Sequence, residues 1–184
     1  MTRSIHFRLF LPLIFCFTFA FSMVAMAQRG SQAPDFRLGQ NKPTILAEAE
    51  LARVVPTNFY YQGQSAPTQM RNAAAVRFGR DRYVIAGIVD TSGYSAEIRG
   101  KYEGFLITDS VIKIGGVRLG TGAYGFGFSS NGKVNIFDIG GKLVLTVRSK
   151  NDAELKRPRP LMMMEAADGV RLYDGRNYVV LSAR

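Results

Sequence analysis

The sequence is poor in the side chains that most nucleophilic and metal-dependent enzymes use. Its 184 residues include one histidine, one cysteine and no tryptophan. His6 and Cys16 both lie in the first 27 residues, which have the pattern of an export leader. Without that leader the chain has no residues for a Ser-His-Asp or Cys-His site, a His- or Cys-ligated metal, or a disulfide. We therefore predict a protein that is not an enzyme and carries no cofactor and no metal.

Residues 1–27 have the three regions of a signal peptide. Arg3 and Arg8 supply a basic start, residues 9–24 are almost wholly apolar, and Ala25-Met26-Ala27 has small residues where signal peptidase requires them. We predict cleavage after Ala27 and a secreted or periplasmic location. The alternative is an uncleaved membrane anchor, although an apolar run of about 16 to 18 residues is at the short limit for a span.

The chain is strongly basic. Its formal net charge of +10 falls to +8 when Arg3 and Arg8 leave with the leader. Arginine predominates over lysine and suits bidentate contacts with phosphate or carboxylate. Two groups are therefore candidate polyanion-binding sites: Arg77, Arg80 and Arg82 form one, and Lys156, Arg157 and Arg159, with Lys150 nearby, form the other.

The expected polyanions are lipid head groups, lipopolysaccharide or acidic glycans at the cell envelope. Nucleic acid is not expected, because no aromatic–basic recognition motif is present. The alternative is that the positive charge only keeps the surface solvated.

The pattern of turns predicts the fold class. Short apolar runs recur about every 8 to 12 residues and are separated by glycine-containing turns, as in sandwiches and barrels. Asn131-Gly132 has the composition of a two-residue hairpin turn. We predict a flexible arm over residues 28–43 and a single all-β domain over residues 44–184. That domain is expected to be an antiparallel sandwich or partly open barrel with one or two short helices.

Helical signals are few. Residues 44–55 have helical spacing of apolar residues, with Thr44 as the cap and Pro56 as the stop. Residues 95–102 and 153–156 are each expected to form a helical turn.

Residues 60–72 are unusually rich in tyrosine and amide side chains and lie between two apolar segments. We interpret residues 62–72 as a loop. Amides donate and accept hydrogen bonds, and aromatic rings stack on ligands, so this segment suits sugar or peptide recognition. The candidate ligand-binding residues are Tyr60, Tyr61, Gln62, Gln64, Gln69, Arg71 and Asn72, together with Tyr124. The alternative is that the amides satisfy buried backbone groups.

Aromatic residues and glycines alternate over residues 124–128. Tyr124, Phe126 and Phe128 are expected on one face of a strand, and Gly125 and Gly127 on the other. The bulky face suits a core stripe. The bare face allows another element, or a ligand in a glycine-floored cavity, to approach closely.

The acidic residues suggest no particular active site. Residues 88–93 resemble the active-site run of aspartic proteases, but an extra residue separates Asp90 from Gly93. The alternative is a turn in which Asp90 accepts hydrogen bonds from nearby backbone N–H groups. Two of the 14 acids could form a hydrolase pair, although no spacing favours any two.

Two segments carry a resemblance to other proteins. Residues 113–126, with Gly115-Gly116 and Tyr124-Gly125-Phe126, resemble exported bacterial proteins of unknown function, as do residues 170–179. The resemblance covers about a fifth of the chain. It implies a β-rich domain and assigns no activity.

These observations favour a non-enzymatic exported β-domain that binds a ligand or associates with the envelope. The expected ligand is a small apolar molecule, a sugar or a polyanion. One alternative is an envelope assembly module that pairs through a sheet edge. The other is a hydrolase that uses two carboxylates.

Overall fold

The computed structural model describes residues 42–183, so the predicted leader and most of the predicted arm lie outside the described residues. In chain order the strands are β1 (Thr44–Ile45), β2 (Asn58–Tyr61), β3 (Gln64–Phe78), β4 (Arg82–Val89), β5 (Gly104–Thr108), β6 (Ile112–Ile114), β7 (Val117–Leu119), β8 (Gly122–Ser129), β9 (Lys133–Phe137), β10 (Leu143–Arg148), β11 (Lys150–Asn151), β12 (Arg159–Ala166), β13 (Gly169–Gly175) and β14 (Asn177–Ala183). The helices are α1 (Glu48–Val54) and α2 (Ala96–Arg99).

The strands form two antiparallel sheets. The first has the order β1-β3-β4-β5-β8-β9-β10, and β2 pairs with the beginning of β3. The second has the order β12-β13-β14-β6-β7, and β11 pairs with β14. The predicted all-β antiparallel class is confirmed.

The two sheets pack face to face through a shared apolar core. Val84 and Phe126 of the first sheet belong to the same buried cluster as Leu172 and Leu181 of the second. Because side chains alternate along a strand, every second residue of each sheet enters this layer. The architecture is therefore a sandwich.

The first sheet is also buried on its other face. A second cluster there includes Ile85, Val89 and Phe105, together with Tyr61 of β2 and Tyr102, which follows α2. This double burial explains why β4 is almost continuously apolar instead of alternating.

The first predicted helix begins later than expected. Thr44 is part of β1 and pairs with Arg77, so it does not cap the helix. The Glu50 carboxylate accepts a hydrogen bond from the Ala47 N–H at 3.1 Å, and the helix begins at Glu48. Thr44 and Ile45 pair with β3, and this pairing prevents the helix from beginning at Thr44.

The other two helical signals have different outcomes. Ser95 Oγ accepts a hydrogen bond from the Ile98 N–H, and α2 forms where a helical turn was predicted. Residues 153–156 form no helix.

The segment that we interpreted as a loop over residues 62–72 is mostly strand, so that prediction is wrong. Gln62 and Gly63 form a tight turn with φ of 47° and 80°, and β3 begins at Gln64. Strand β2 supplies the hydrogen-bonding partner that the polar sequence did not reveal. The β3–β4 register then shifts between Thr68 and Ala73, which leaves a bulge where the amides are concentrated.

Candidate ligand-binding site

Tyr61, a predicted ligand-binding residue, is a core residue. Its ring is fully buried and stacks on Tyr102 with a centroid distance of 3.9 Å. Burial raises the pKa of Tyr61 to about 12, and the Asp138 carboxylate adds to that rise. The neighbouring Tyr60 is 57% exposed, as expected from alternation along β2. The two tyrosines therefore do not face a common ligand.

The predicted amides serve the hairpin that carries them. Gln69 Nε2 donates a hydrogen bond to the Val89 carbonyl at 3.3 Å, and Asn72 Nδ2 donates one to Gln69 Oε1 at 2.9 Å. At Gln62 the main-chain N–H, and not the side-chain amide, donates a hydrogen bond to the Ile139 carbonyl at 2.8 Å, outside this hairpin. For Gln69, the alternative that an amide satisfies the backbone is confirmed.

The remaining members of the predicted set lie apart. Tyr124 packs against the inter-sheet core, on the opposite face of the first sheet from Tyr61. Its hydroxyl donates to the Gly120 carbonyl at 3.2 Å. Gln64 and Arg71 are exposed on β3. The structure thus does not bring the eight predicted side chains into one site.

The bare glycine face of β8 is covered by the protein itself. A Cβ atom at Gly125 would lie 2.6 Å from the Tyr61 ring and 3.2 Å from the Tyr102 ring. Gly127 lies against the Lys101 carbonyl. The prediction that these glycines allow close approach is confirmed, but they do not form the floor of a ligand cavity.

The predicted polyanion groups are spread over several elements. Arg77 lies on β3 opposite Tyr83, and Arg80 is exposed in the following turn. Arg82 begins β4, and Lys156 and Arg157 are exposed before β12.

Arg159, the last member, begins β12. Its Nη2 donates a hydrogen bond to the Arg71 carbonyl at 3.4 Å, which connects the second sheet to the bulge of β3. Polyanion binding by either group stays a prediction.

A cavity of about 580 Å³ lies on the outer face of the second sheet. Val179 and Leu181 of β14 enter the inter-sheet core, so Tyr178, Val180 and Ser182 point to the opposite, outer face. The cavity is lined by Tyr178, Val179, Val180 and Ser182 of β14, by Gly115 and Gly116 of the β6–β7 turn, by Arg148, Ser149 and Lys150, and by Asp168.

The pairing of β14 explains why a cavity forms there. On one edge β14 pairs with β6 through residues 181–183 and with β11 through Asn177 and Tyr178. Gly115 and Gly116 make the β6–β7 turn with φ of 55° and 86°, values that favour glycine. The Gly115 N–H donates to the Val180 carbonyl at 2.8 Å, which holds this turn against the cavity.

A polar network fixes the aromatic side of the cavity. The Arg171 guanidinium lies 4.5 Å from the centroid of the Tyr178 ring, a cation–π geometry. Arg171 Nε donates to Asp168 Oδ1 at 3.2 Å, and the Tyr173 hydroxyl donates to Asp152 Oδ2 at 2.8 Å. The Tyr178 ring and the Asp168 carboxylate, which both line the cavity, are therefore held in place.

Four cations lie on the wall of the cavity or beside it on the outer face of the second sheet. Arg148 and Lys150 line it, and Lys113 lies opposite both Ser182 and Arg118 on the same outer face. Within residues 42–183, none of these four side chains makes an ion pair or hydrogen bond. Sequence analysis named only Lys150 of these four, because they come from separate segments that approach one another only in the folded sandwich.

Burial raises the pKa of two carboxyl groups, those of Glu103 and Asp174. Glu103 Oε2 accepts a hydrogen bond from the Phe128 N–H at 3.1 Å. Asp174 is on the same face of β13 as Val170 and Leu172, which are core residues. Burial raises the pKa of Glu103 to about 7, and the Asp174 carboxylate adds to that rise. Burial also raises the pKa of Asp174.

The run around Asp90 is a turn. Asp90 Oδ1 accepts a hydrogen bond from the Ser92 N–H at 2.9 Å, and this bond holds the pKa of Asp90 below its usual value. The alternative to the protease interpretation is therefore confirmed. Over residues 42–183, no three acidic, histidine or cysteine side chains are grouped as metal ligands would be.

Comparison with known proteins gave no relatives. No protein-family model, no curated protein and no solved structure matches the chain. In the described part of the chain, neither helix is long and apolar enough to cross a membrane. The resemblance to exported bacterial proteins stays a prediction.

Proposed function

We propose that this protein is a non-enzymatic, exported β-sandwich that binds a small ligand in the cavity on the outer face of its second sheet. The observation that carries the proposal is the cavity itself. Its volume of about 580 Å³ is in the range of small-molecule sites.

The chemistry of the lining supports binding. The Val180 side chain and the Tyr178 ring offer apolar and aromatic surface, and Ser149 and Ser182 are lining residues that carry hydroxyl groups. Most ligand sites combine an apolar wall with a few polar groups that orient the ligand. The ionisable lining residues are Arg148, Lys150 and Asp168, and Asp168 is held by Arg171. These charged side chains suit recognition of a ligand better than proton transfer to or from it.

A blocking substitution tests the location of the site. The purified protein is screened by thermal shift against sugars, short alkyl compounds and phosphorylated compounds. A ligand at 100 times its Kd should stabilise the fold by about 2.7 kcal/mol. Ser182→Phe places a ring in the cavity and should abolish the shift, whereas Ser65→Phe, on exposed β3, should retain it. Equal shifts in both variants, or no shift with any compound, would contradict the proposal.

Export is tested separately by mass spectrometry of protein recovered from cells. The leader pattern predicts a mature chain that begins at Gln28. A chain that retains Met1 would contradict cleavage.

A second candidate function is hydrolysis by Glu103 and Asp174. Its support is the raised pKa of both carboxyls, because perturbed carboxyl pairs concentrate at catalytic sites. Any hydrolysis of chromogenic glycosides should be lost in Glu103→Gln and in Asp174→Asn, and kept in Asp81→Asn, a change in an exposed turn. Activity that survives both changes would exclude this pair.

A further inference from the structure

We infer that the ligand of the outer-face cavity carries a phosphate group attached to a short apolar or sugar-like body. This inference rests on the proposed function and deepens it, because it assigns a chemical class to the ligand. It depends on how charge and apolar surface are arranged around the cavity.

The first step is the positive charge at the cavity. Arg148 and Lys150 are exposed at its wall, and Lys113 and Arg118 are exposed on the same face of the sheet. Lys113 and Arg118 face each other directly across β6 and β7, an arrangement that destabilises a sheet unless a counter-charge is present. An anionic ligand would supply that counter-charge.

The second step is the state of the neighbouring acids. Asp168 is the acidic residue that lines the cavity, and Arg171 binds it at 3.2 Å. Asp152 accepts a hydrogen bond from the Tyr173 hydroxyl and lies 3.8 Å from Arg171. Arg171 balances one of these two negative charges, so the four cations still exceed the neighbouring acids by about three positive charges.

The third step is the kind of anion. An arginine offers a planar pair of donors to oxygen anions, and a lysine adds a point charge. Ser149, which lies between Arg148 and Lys150 in the chain, is also a lining residue. Two cations on the wall of one small cavity, with two more on the same sheet face, suit a compact group of more than one negative charge, which favours phosphate over a single carboxylate. The adjacent Val180 and Tyr178 provide the surface for the body of the ligand.

The test compares two probes of equal length, hexyl phosphate and hexyl glucoside, by calorimetry with the purified protein. Hexyl phosphate should bind at least about tenfold more tightly than hexyl glucoside, and its affinity should fall as salt rises from 20 to about 200 mM. Arg148→Gln with Lys150→Gln should weaken the phosphate probe about tenfold or more. The double change Arg53→Gln with Lys142→Gln removes the same charge at exposed positions outside the cavity and should have little effect.

The outcomes separate this inference from the proposed function. If hexyl glucoside binds, Ser182→Phe abolishes its binding, and hexyl phosphate binds no better, the cavity is a ligand site but the phosphate inference is wrong. If Ser182→Phe leaves phosphate binding intact, the cavity is not the site and both proposals fail. Equal losses in the two double variants would show that binding follows net charge alone, which would overturn the inference.

Two further arms identify the source of the phosphate. Vesicles that contain phosphatidylglycerol are compared with vesicles of phosphatidylcholine alone, and glycerol phosphate is titrated as a free compound. Preferential binding to phosphatidylglycerol vesicles that requires Arg148 and Lys150 supports a lipid head group. Binding of glycerol phosphate with the same requirement supports a free phosphorylated compound. Failure of all phosphate probes overturns the inference.

Discussion

At the residue scale, Glu103 is a side chain whose charge state depends on the fold. It is partly buried, and burial raises its pKa from 4.5 to about 7 despite the hydrogen bond from the Phe128 N–H, which lowers it. A carboxyl with a raised pKa stabilises the folded state below its unfolded pKa, and this stabilisation is lost as pH rises through the folded pKa. The loss therefore falls between about pH 4.5 and pH 7.

We expect Glu103→Gln to remove this pH dependence. The amide oxygen can still accept the Phe128 hydrogen bond but has no charge to bury. The variant should be more stable than the parent at pH 8, by on the order of 1–2 kcal/mol, and nearly equal to it at pH 4.5. Urea unfolding at both pH values measures this, with exposed Glu154→Gln as the control. An equal difference at both pH values would contradict the assignment.

Tyr61 is the second residue with a definite energetic role. Its hydroxyl is buried and has no hydrogen-bond partner among the described residues. A buried polar group without a partner carries an uncompensated desolvation cost.

We expect Tyr61→Phe to be neutral or to raise the free energy of unfolding by up to about 1 kcal/mol. Tyr173→Phe is the matched control, because that hydroxyl donates to Asp152 at 2.8 Å. The control should lower stability by about 1 kcal/mol. A larger loss in Tyr61→Phe than in Tyr173→Phe would show that the Tyr61 hydroxyl has a partner.

At the element scale, the hairpin turns show which local signals were informative. Asn131-Gly132 does mark a hairpin. However, Ser129 pairs with Lys133, and of the two predicted turn residues only Gly132 has a positive φ, of 73°. The connection is therefore a three-residue loop and not the predicted two-residue turn. Gln62-Gly63 forms a two-residue turn that the sequence did not signal, because glutamine rarely adopts a positive φ.

Strand β8 shows the opposite case, in which alternation alone predicted two distinct faces. Phe126 is in the inter-sheet core, while Gly125 faces the stacked rings of Tyr61 and Tyr102. The sequence predicted the bare face, but the identity of the covering rings depended on how the β2–β3 hairpin and the segment after α2 fold over the sheet.

We expect Gly125→Ala to lower the free energy of unfolding by about 1–3 kcal/mol, because the added methyl group overpacks a filled layer. Gly120→Ala is the control. A Cβ atom added at Gly120 would lie 3.7 Å from the Tyr124 hydroxyl oxygen, and the backbone there is not in the left-handed region. The control should change stability by less than about 0.5 kcal/mol. Urea denaturation of both variants measures the difference. Equal effects would show that the ring layer moves freely.

At the scale of the whole molecule, the first sheet ends in an apolar edge strand. Strand β10 is the last in its sheet, and its residues Leu143 and Val144 are 52% and 46% exposed. An exposed apolar edge is a template for association with another strand.

We expect the double change Leu143→Thr with Val144→Thr to slow concentration-dependent association and leave stability within about 0.5 kcal/mol of the parent. Threonine keeps the β propensity and removes apolar surface. Light scattering over a concentration series measures association, and Ala123→Thr, an exposed change on a central strand, is the control. Unchanged association would show that another surface is responsible.

The sequence by itself determined the class of this fold. Turn residues and apolar alternation act over a few neighbours, so the antiparallel strands, the α2 turn and the two faces of β8 could be predicted locally. The tertiary structure alone decided where chemistry is concentrated. Arg148 and Lys150 line one cavity with Tyr178 and Ser182, and the Asp174 carboxylate acts on the pKa of Glu103, because strands distant in the chain become neighbours in space. Contacts of this kind depend on sheet order and register, which no local pattern in this chain specifies.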